Sequence, residues 1–158
     1  MAIFSKAIFA MVKWKARHGL REVDGNGREW TKEEARRAGV RGETYAYWYL
    51  RNQGYVFVAR NYVPRSAKGE LDLVGYDGET LAFVEVRTRT VREEMTALPE
   101  LSVTPEKQRI VARTARYFLA ERHLRRSPCR FDMLAIDDRP GQPPEVRLHK
   151  DAFSPQLR

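Results

Sequence analysis

Two apolar runs, Glu70-Leu71-Asp72-Leu73-Val74 and Leu81-Ala82-Phe83-Val84-Glu85-Val86, flank an Asp77-Gly78 pair. Such runs on either side of Asp-Gly are a strong short-range signal for a β-hairpin. The constraint comes from the carboxylates that these runs carry inside them. Side chains alternate between the two faces of a strand, so Glu70, Asp72, Leu81, Phe83, Glu85 and Arg87 share one face. With Asp77 and Gly78 as the two turn residues, Asp72 lies opposite Phe83 and diagonal to Glu85, roughly 7–8 Å apart at the backbone. At that separation two carboxylates can converge on one divalent cation. A lone carboxylate in an apolar strand is costly to desolvate; a solvated sheet face or a salt bridge to Arg87 would also account for the pair.

A third acid stands upstream. Residues 43–53 have helical character, and Gly54 is suited to the position just past a helix end. At about 100° per residue, Glu43, Ala46, Tyr47 and Leu50 fall on one stripe. An acid on a packing stripe needs a partner, which a shared metal would supply; favouring the helix N-terminal dipole is the other account. Glu43, Asp72 and Glu85 together make an all-oxygen set suited to Mg²⁺ or Mn²⁺. Such a set can activate water and neutralise a phosphodiester. Arg87 adds a fixed positive charge for phosphate and cannot serve as a general base.

The remaining pattern is that of a mixed α/β domain. Residues 55–60 read as a strand and 61–68 as a basic loop. Gly39 and Gly42 are expected to interrupt the helical character that begins at Thr31. Residues 91–101 form a polar excursion without clear period. Thr104-Pro105-Glu106 is a helix start, with a capping Thr, Pro at the first position and an early acid, and the helix should run to about His123. Strands follow at 131–136 and 145–149, giving the order α-β-β-β-α-β-β.

Charge separates the chain into three parts. Residues 1–41 carry net +5, residues 42–90 net zero and residues 91–158 net +3, within a total of +8. A basic balance makes nucleic acid the first partner to consider. Residues 1–30 read as a basic, flexible leader before a single domain at 31–158. Lys6 splits its apolar residues, so neither stable membrane insertion nor a signal peptide is expected. The lone Cys129 excludes an internal disulfide framework and fits a reducing, cytoplasmic setting. No phosphate-binding Gly-rich loop is present, which argues against an NTPase.

Further basic residues suit phosphate contact. The loop holding Arg60, Arg65 and Lys68 interleaves charge with Tyr62. Arg109, Arg113 and Arg116 fall on one side of the second helix, where a solvated face would look the same. Lys107 and Gln108 point toward its apolar half and are placed to reach the acids.

Gly42-Glu43-x-x-Ala46, Gly54-Tyr55, Ala59-Arg60-Asn61-Tyr62, Gly69-Glu70-Leu71-Asp72-Leu73 and Phe83-Val84-Glu85-Val86-Arg87-Thr88-Arg89 resemble the YraN-like family of small bacterial proteins. Val103-Thr104-Pro105-Glu106-Lys107, Arg130-Phe131-Asp132 and Asp151-Ala152-Phe153 fit the same pattern. That family is similar to archaeal Holliday-junction resolvases and to the PD-(D/E)XK nucleases. The resemblance implies a restriction-endonuclease-like mixed β-sheet flanked by helices, with metal-dependent phosphodiester cleavage; joined to the basic charge, it gives the expectation of a nuclease acting on DNA, branched or single-stranded. Glu43, Asp72 and Glu85 match the helix acid and the two strand acids. Arg87 stands where the superfamily usually has Lys, and Arg89 joins Arg60, Arg65, Lys68, Lys107, Gln108, Arg109 and Arg113 as a nucleic-acid contact. A homodimer follows by analogy with junction resolvases. The alternative implied by Arg87 is a nucleic-acid-binding protein that keeps the nuclease fold with weak or no catalysis.

Overall fold

The computed structural model describes residues 2–16, 32–90, 103–139 and 141–154. The elements in chain order are α1 (Ala2–Ala16), α2 (Lys32–Asn52), β1 (Val56–Tyr62), β2 (Leu71–Asp77), β3 (Thr80–Thr90), α3 (Pro105–Glu121), β4 (Cys129–Asp138) and β5 (Glu145–Phe153). The polar excursion at 91–101 and the cap expected at Thr31 lie outside the described residues. From α2 onward the order is the one read from the sequence; α1 occupies part of the stretch read as a leader.

The strands form one sheet in the order β1-β2-β3-β4-β5. β1 pairs antiparallel with β2, and β2 antiparallel with β3. Leu81 N donates to Pro128 O at 2.9 Å, which sets the beginnings of β3 and β4 side by side. Those two strands therefore run parallel, joined by α3 as the crossover that parallel neighbours require. Along β5, Arg147 reaches Asp137 and the backbone of Asp151 reaches Asp132, so β5 runs back against β4. The sheet is mixed and not closed into a barrel, which bears out the α/β class.

Contacts divide the chain into two compact units, and β3, β4 and β5 each contribute to both. The first comprises Met1–Gln53, Val86–Ala97 and Leu134–Arg147. In it, α1 packs on α2 through Phe9, whose ring meets Tyr45 and Tyr49 edge-on at 5.8 and 5.9 Å. The second comprises Gly54–Glu85, Leu98–Met133 and Leu148–Arg158. Its core is α3 laid on the sheet, with Val111, Ala115 and Phe118 buried against Val74, Leu81, Phe83 and Phe131. Phe83 stacks on Phe131, and Phe131 on Phe153. α3 begins where its sequence dictates, with Thr104 Oγ1 accepting from Lys107 N at 3.3 Å and Pro105 in the first turn.

Two local expectations are corrected. Asp77 pairs with Thr80 and Tyr76 with Leu81, so the two turn residues are Gly78 and Glu79 rather than Asp77 and Gly78. Gly78 adopts φ +62°, and Glu79 is not among the residues with positive φ. Glycine at the first central position with an ordinary residue second is the chemistry of a type II′ turn, whereas the Asp-Gly reading assumed type I′. The slip is two residues, so every side chain keeps its face and only its neighbour changes. The second correction is in α2, which runs unbroken through Gly39 and Gly42. Gly42 is buried, and a Cβ there would overlap Thr88 Oγ1, so this glycine marks close helix-to-strand approach instead of a break.

That contact sets a prediction against simple helix propensity. Alanine in a helix interior is favoured over glycine by about 1 kcal/mol, yet Gly42→Ala should destabilise the protein by ~1–3 kcal/mol because the new methyl overpacks Thr88. Thr88 Oγ1 has no hydrogen-bond partner among the described residues, so adding Thr88→Ala should restore much of the loss. Urea denaturation of the two single variants and the double variant measures the coupling; additive effects would contradict it.

Candidate active site

The corrected register strengthens the acid pair. Leu73 is opposite Val84, and continuing the ladder by one residue sets Asp72 directly across from Glu85. Directly opposed residues have Cβ atoms about 4.5–5.5 Å apart, closer than the diagonal relation expected from the sequence. Asp72 is half-buried and Glu85 only 6% exposed. α3 delivers a cation to this pair. Lys107, the third helical residue after the Thr104 cap, places Nζ 3.0 Å from Glu85 Oε1. The cap thus fixes the backbone of the residue whose side chain meets the buried acid.

The start of β2 is held close to the same helix. Gly69 has φ +135°, and a Cβ there would overlap Thr114 Oγ1 on α3. Arg113 Nη2 donates to Lys68 O at 3.0 Å, fastening the loop that precedes Gly69. Gln108 Nε2 donates to Val103 O at 2.8 Å, tying the segment before α3 to its first turn. Arg109 is exposed and donates to Pro105 O. Arg60, Arg65 and Lys68 are exposed on β1 and the following loop.

In the first unit, the Gly42–Thr88 contact brings α2 onto β3 at the residues adjoining Glu43 and Arg87. Glu43 is half-buried and Arg87 exposed. Arg89 is engaged with Asp137, its Nε on Oδ1 at 2.5 Å and its Nη2 on Oδ2 at 3.0 Å. Arg147 Nη2 adds a contact to Asp137 Oδ2 at 2.8 Å. The Arg89 guanidinium, with Arg147, holds the Asp137 carboxyl below its ordinary value against the opposing effect of burial.

Sequence reading missed a second polar cluster, in the unit that holds Asp72 and Glu85. Asp132 is fully buried and accepts from Arg130 Nε at 2.8 Å, from the backbone of Asp151 at 2.9 Å and from the Tyr55 hydroxyl at 3.2 Å. Arg130 also reaches Asp77, which Lys150 meets at 2.6 Å. Hydrogen bonds from Lys150 and Arg130 hold Asp77 below the usual carboxylate range, while burial, then Asp132 and Asp77, push the Tyr55 phenol upward. The available signal was the i, i+2 spacing of Arg130 and Asp132, which puts both on one face of a strand.

Two carboxylates facing one another supply the hard oxygen donors that Mg²⁺ prefers, and Mg²⁺ is commonly held by one or two carboxylates with water completing its shell. On that criterion Asp72 and Glu85 fit such an ion. Among the described residues, no three His, Cys, Asp or Glu side chains gather closely enough to hold a metal. No helix among them is long and apolar enough to cross a membrane.

The class defined by these features is an α/β protein whose mixed sheet carries an opposed acid pair beside a helix-borne lysine. The chain belongs to the uncharacterised protein family UPF0102, the YraN family, whose model matches residues 42–136. That span includes Glu43, Asp72, Glu85, Arg87, Lys107 and Asp132, and leaves α1 and β5 outside. The chain is similar to the UPF0102 protein of Geotalea uraniireducens, 44% identical over 115 residues, covering 73% of this chain and 87% of the relative. It is also similar to the UPF0102 proteins of Koribacter versatilis (42% over 118 residues; 74% and 79%) and Lachnoclostridium phytofermentans (42% over 116 residues; 73% and 91%).

The lowered carboxyls set a pH dependence. Asp77 and Asp137 have folded-state values below their unfolded ones, so their stabilisation is complete above the unfolded value of about 3.9 and is lost as pH falls through the lower folded values. Thermal stability should fall steeply below about pH 4. Asp137→Asn should cost ~2–4 kcal/mol at pH 7, because two arginines lose a buried partner, and should flatten the acid limb. Calorimetry from pH 7 to 3 reads both effects; an unchanged acid limb would contradict the assignment.

Proposed function

We propose that this protein is a metal-dependent endonuclease hydrolysing phosphodiester bonds in DNA, with branched or single-stranded DNA as its substrate class. The observation that carries the reading is the opposed pair Asp72 and Glu85 with Lys107 on Glu85. A buried acid with a helix-borne ammonium is a charge arrangement that can exchange one cation for another. The basic flanks, +5 and +3 around a neutral middle, would recruit the polyanion while the local acids repel it until a cation intervenes.

In this reading Asp72 and Glu85 would hold Mg²⁺ or Mn²⁺, with water completing its shell. When bound, the ion lowers the pKa of a coordinated water and offsets charge building on the phosphate. Arg87 contacts the scissile phosphate and stabilises developing charge. Lys107, released from Glu85, supplies the amine that Arg87 cannot, orienting the attacking water. Water adds to phosphorus, one P–O ester bond breaks, and the leaving oxygen takes a proton. Arg60, Arg65, Lys68, Arg109 and Arg113 contact the DNA backbone, and a homodimer acting in the cytoplasm completes the proposal.

A second reading, a DNA-binding protein with little or no catalysis, is favoured by the same ion pair if Lys107 remains committed to Glu85. Purified protein incubated with branched, single-stranded and duplex DNA in Mg²⁺, Mn²⁺ or chelator separates the two. The nuclease reading predicts divalent-dependent cleavage that Asp72→Asn and Glu85→Gln each reduce by about a hundredfold or more, a ligand-loss scale, with DNA retention preserved. Lys107→Met should lower turnover more than binding. Binding without cleavage by the wild type sinks the enzyme, and cleavage surviving both acid substitutions places the chemistry elsewhere.

A further inference from the structure

We propose that the outer face of α1 is a peripheral docking surface for anionic phospholipid bilayers. This rests on α1 alone and is independent of the nuclease reading. Ala7, Ala10, Met11 and Trp14 follow the i, i+3, i+4, i+7 spacing of one helical face. All four are exposed, Met11 by 53% and Trp14 by 61%. The opposite side of the helix is already used, since Ser5 and Ala16 are buried and Phe9 packs on Tyr45 and Tyr49 of α2. α1 is therefore apolar on two sides, one packed on α2 and one largely exposed at Met11 and Trp14.

Charge identifies the occupant. At 100° per residue, Lys6 and Lys13 border the outer stripe on one side and Lys15 on the other, and all three are exposed. The described part of α1 contains no acid. Lys13 and Lys15 in the last turn also suit the helix dipole, but a dipole does not account for Met11 and Trp14 between the lysines. An apolar stripe with an indole at its edge, flanked by ammonium groups, matches the plane where acyl chains meet anionic headgroups. Nucleic acid would answer the lysines and leave the Ala7-Met11 stripe in water. A second copy of the chain would set lysine against lysine. The helix lies on the surface and does not span it, in keeping with its length and charge.

The full-length protein is tested by flotation with vesicles of phosphatidylcholine alone and with phosphatidylglycerol at about one third. Binding is expected only to the anionic vesicles and should weaken with salt, as screening requires. Lys13→Glu with Lys15→Glu should lower the partition coefficient at least about tenfold, the scale for two basic residues at an anionic surface. Met11→Ala with Trp14→Ala should lower it by a similar factor, and Met11→Ala alone should lower it while leaving the melting temperature unchanged, because that side chain is largely exposed. Emission from Trp14, isolated by Trp30→Phe and Trp48→Phe, should shift to shorter wavelength with anionic vesicles. No binding, equal binding to neutral vesicles, or binding unaffected by both pairs of substitutions overturns the proposal. So does an effect of these pairs on duplex-DNA retention or on self-association without one on vesicles.

Discussion

A carboxylate inside a strand must be met by positive charge or hydrogen bonds, and Glu85, Asp132 and Asp137 show how this chain meets the requirement. Glu85, Asp132 and Asp137 are each nearly or fully removed from water. Lys107 answers the first, Arg130 the second, and Arg89 with Arg147 the third. Lys107 and the two arginines on Asp137 reach from one element to another, and Asp132, paired with Arg130 on its own strand, is joined to other segments by the Tyr55 hydroxyl and the Asp151 backbone, so these contacts specify which strand or helix lies beside which. Removing one partner from such a pair leaves a charge stranded in a poorly solvated place, which is far costlier than a lost surface contact.

The three pairs differ in what surrounds them. Asp132 receives three separate donors and is saturated, with Asp77 and Lys150 extending the network to the ends of β2 and β5. Asp137 is gripped by two guanidinium groups. Such arrangements fasten strands together. Glu85 sits opposite a second acid and meets the flexible ammonium of Lys107.

Locally determined features were legible before any coordinates. Thr104 and Pro105 start α3 because a cap is made by neighbours in sequence, and the carboxylate face of the hairpin survives because alternation has a period of two. Features decided by distant atoms were not. Gly42 looks like a helix break until Thr88 lies against it. Asp77-Gly78 looks like the turn until the ladder chooses Gly78-Glu79. Arg89 reads as a contact for nucleic acid, while its donors are directed at Asp137 from a strand far along the chain. Lys107 was placed on the right side of its helix by counting, but only its partner shows what it does there. The outer stripe of α1 was obscured because a helix apolar on two sides has almost no net amphipathicity.

The parallel seam between β3 and β4 has a consequence for the order in which the chain acquires structure. β1, β2 and β3 are joined by short connections and can zip in succession, whereas β3 and β4 are separated by many residues, α3 among them, and pair more slowly on entropic grounds. Asp72 and Glu85 belong to the early meander. Lys107 reaches Glu85 only once α3 has docked, so the contact that meets this buried acid waits on closure of the crossover.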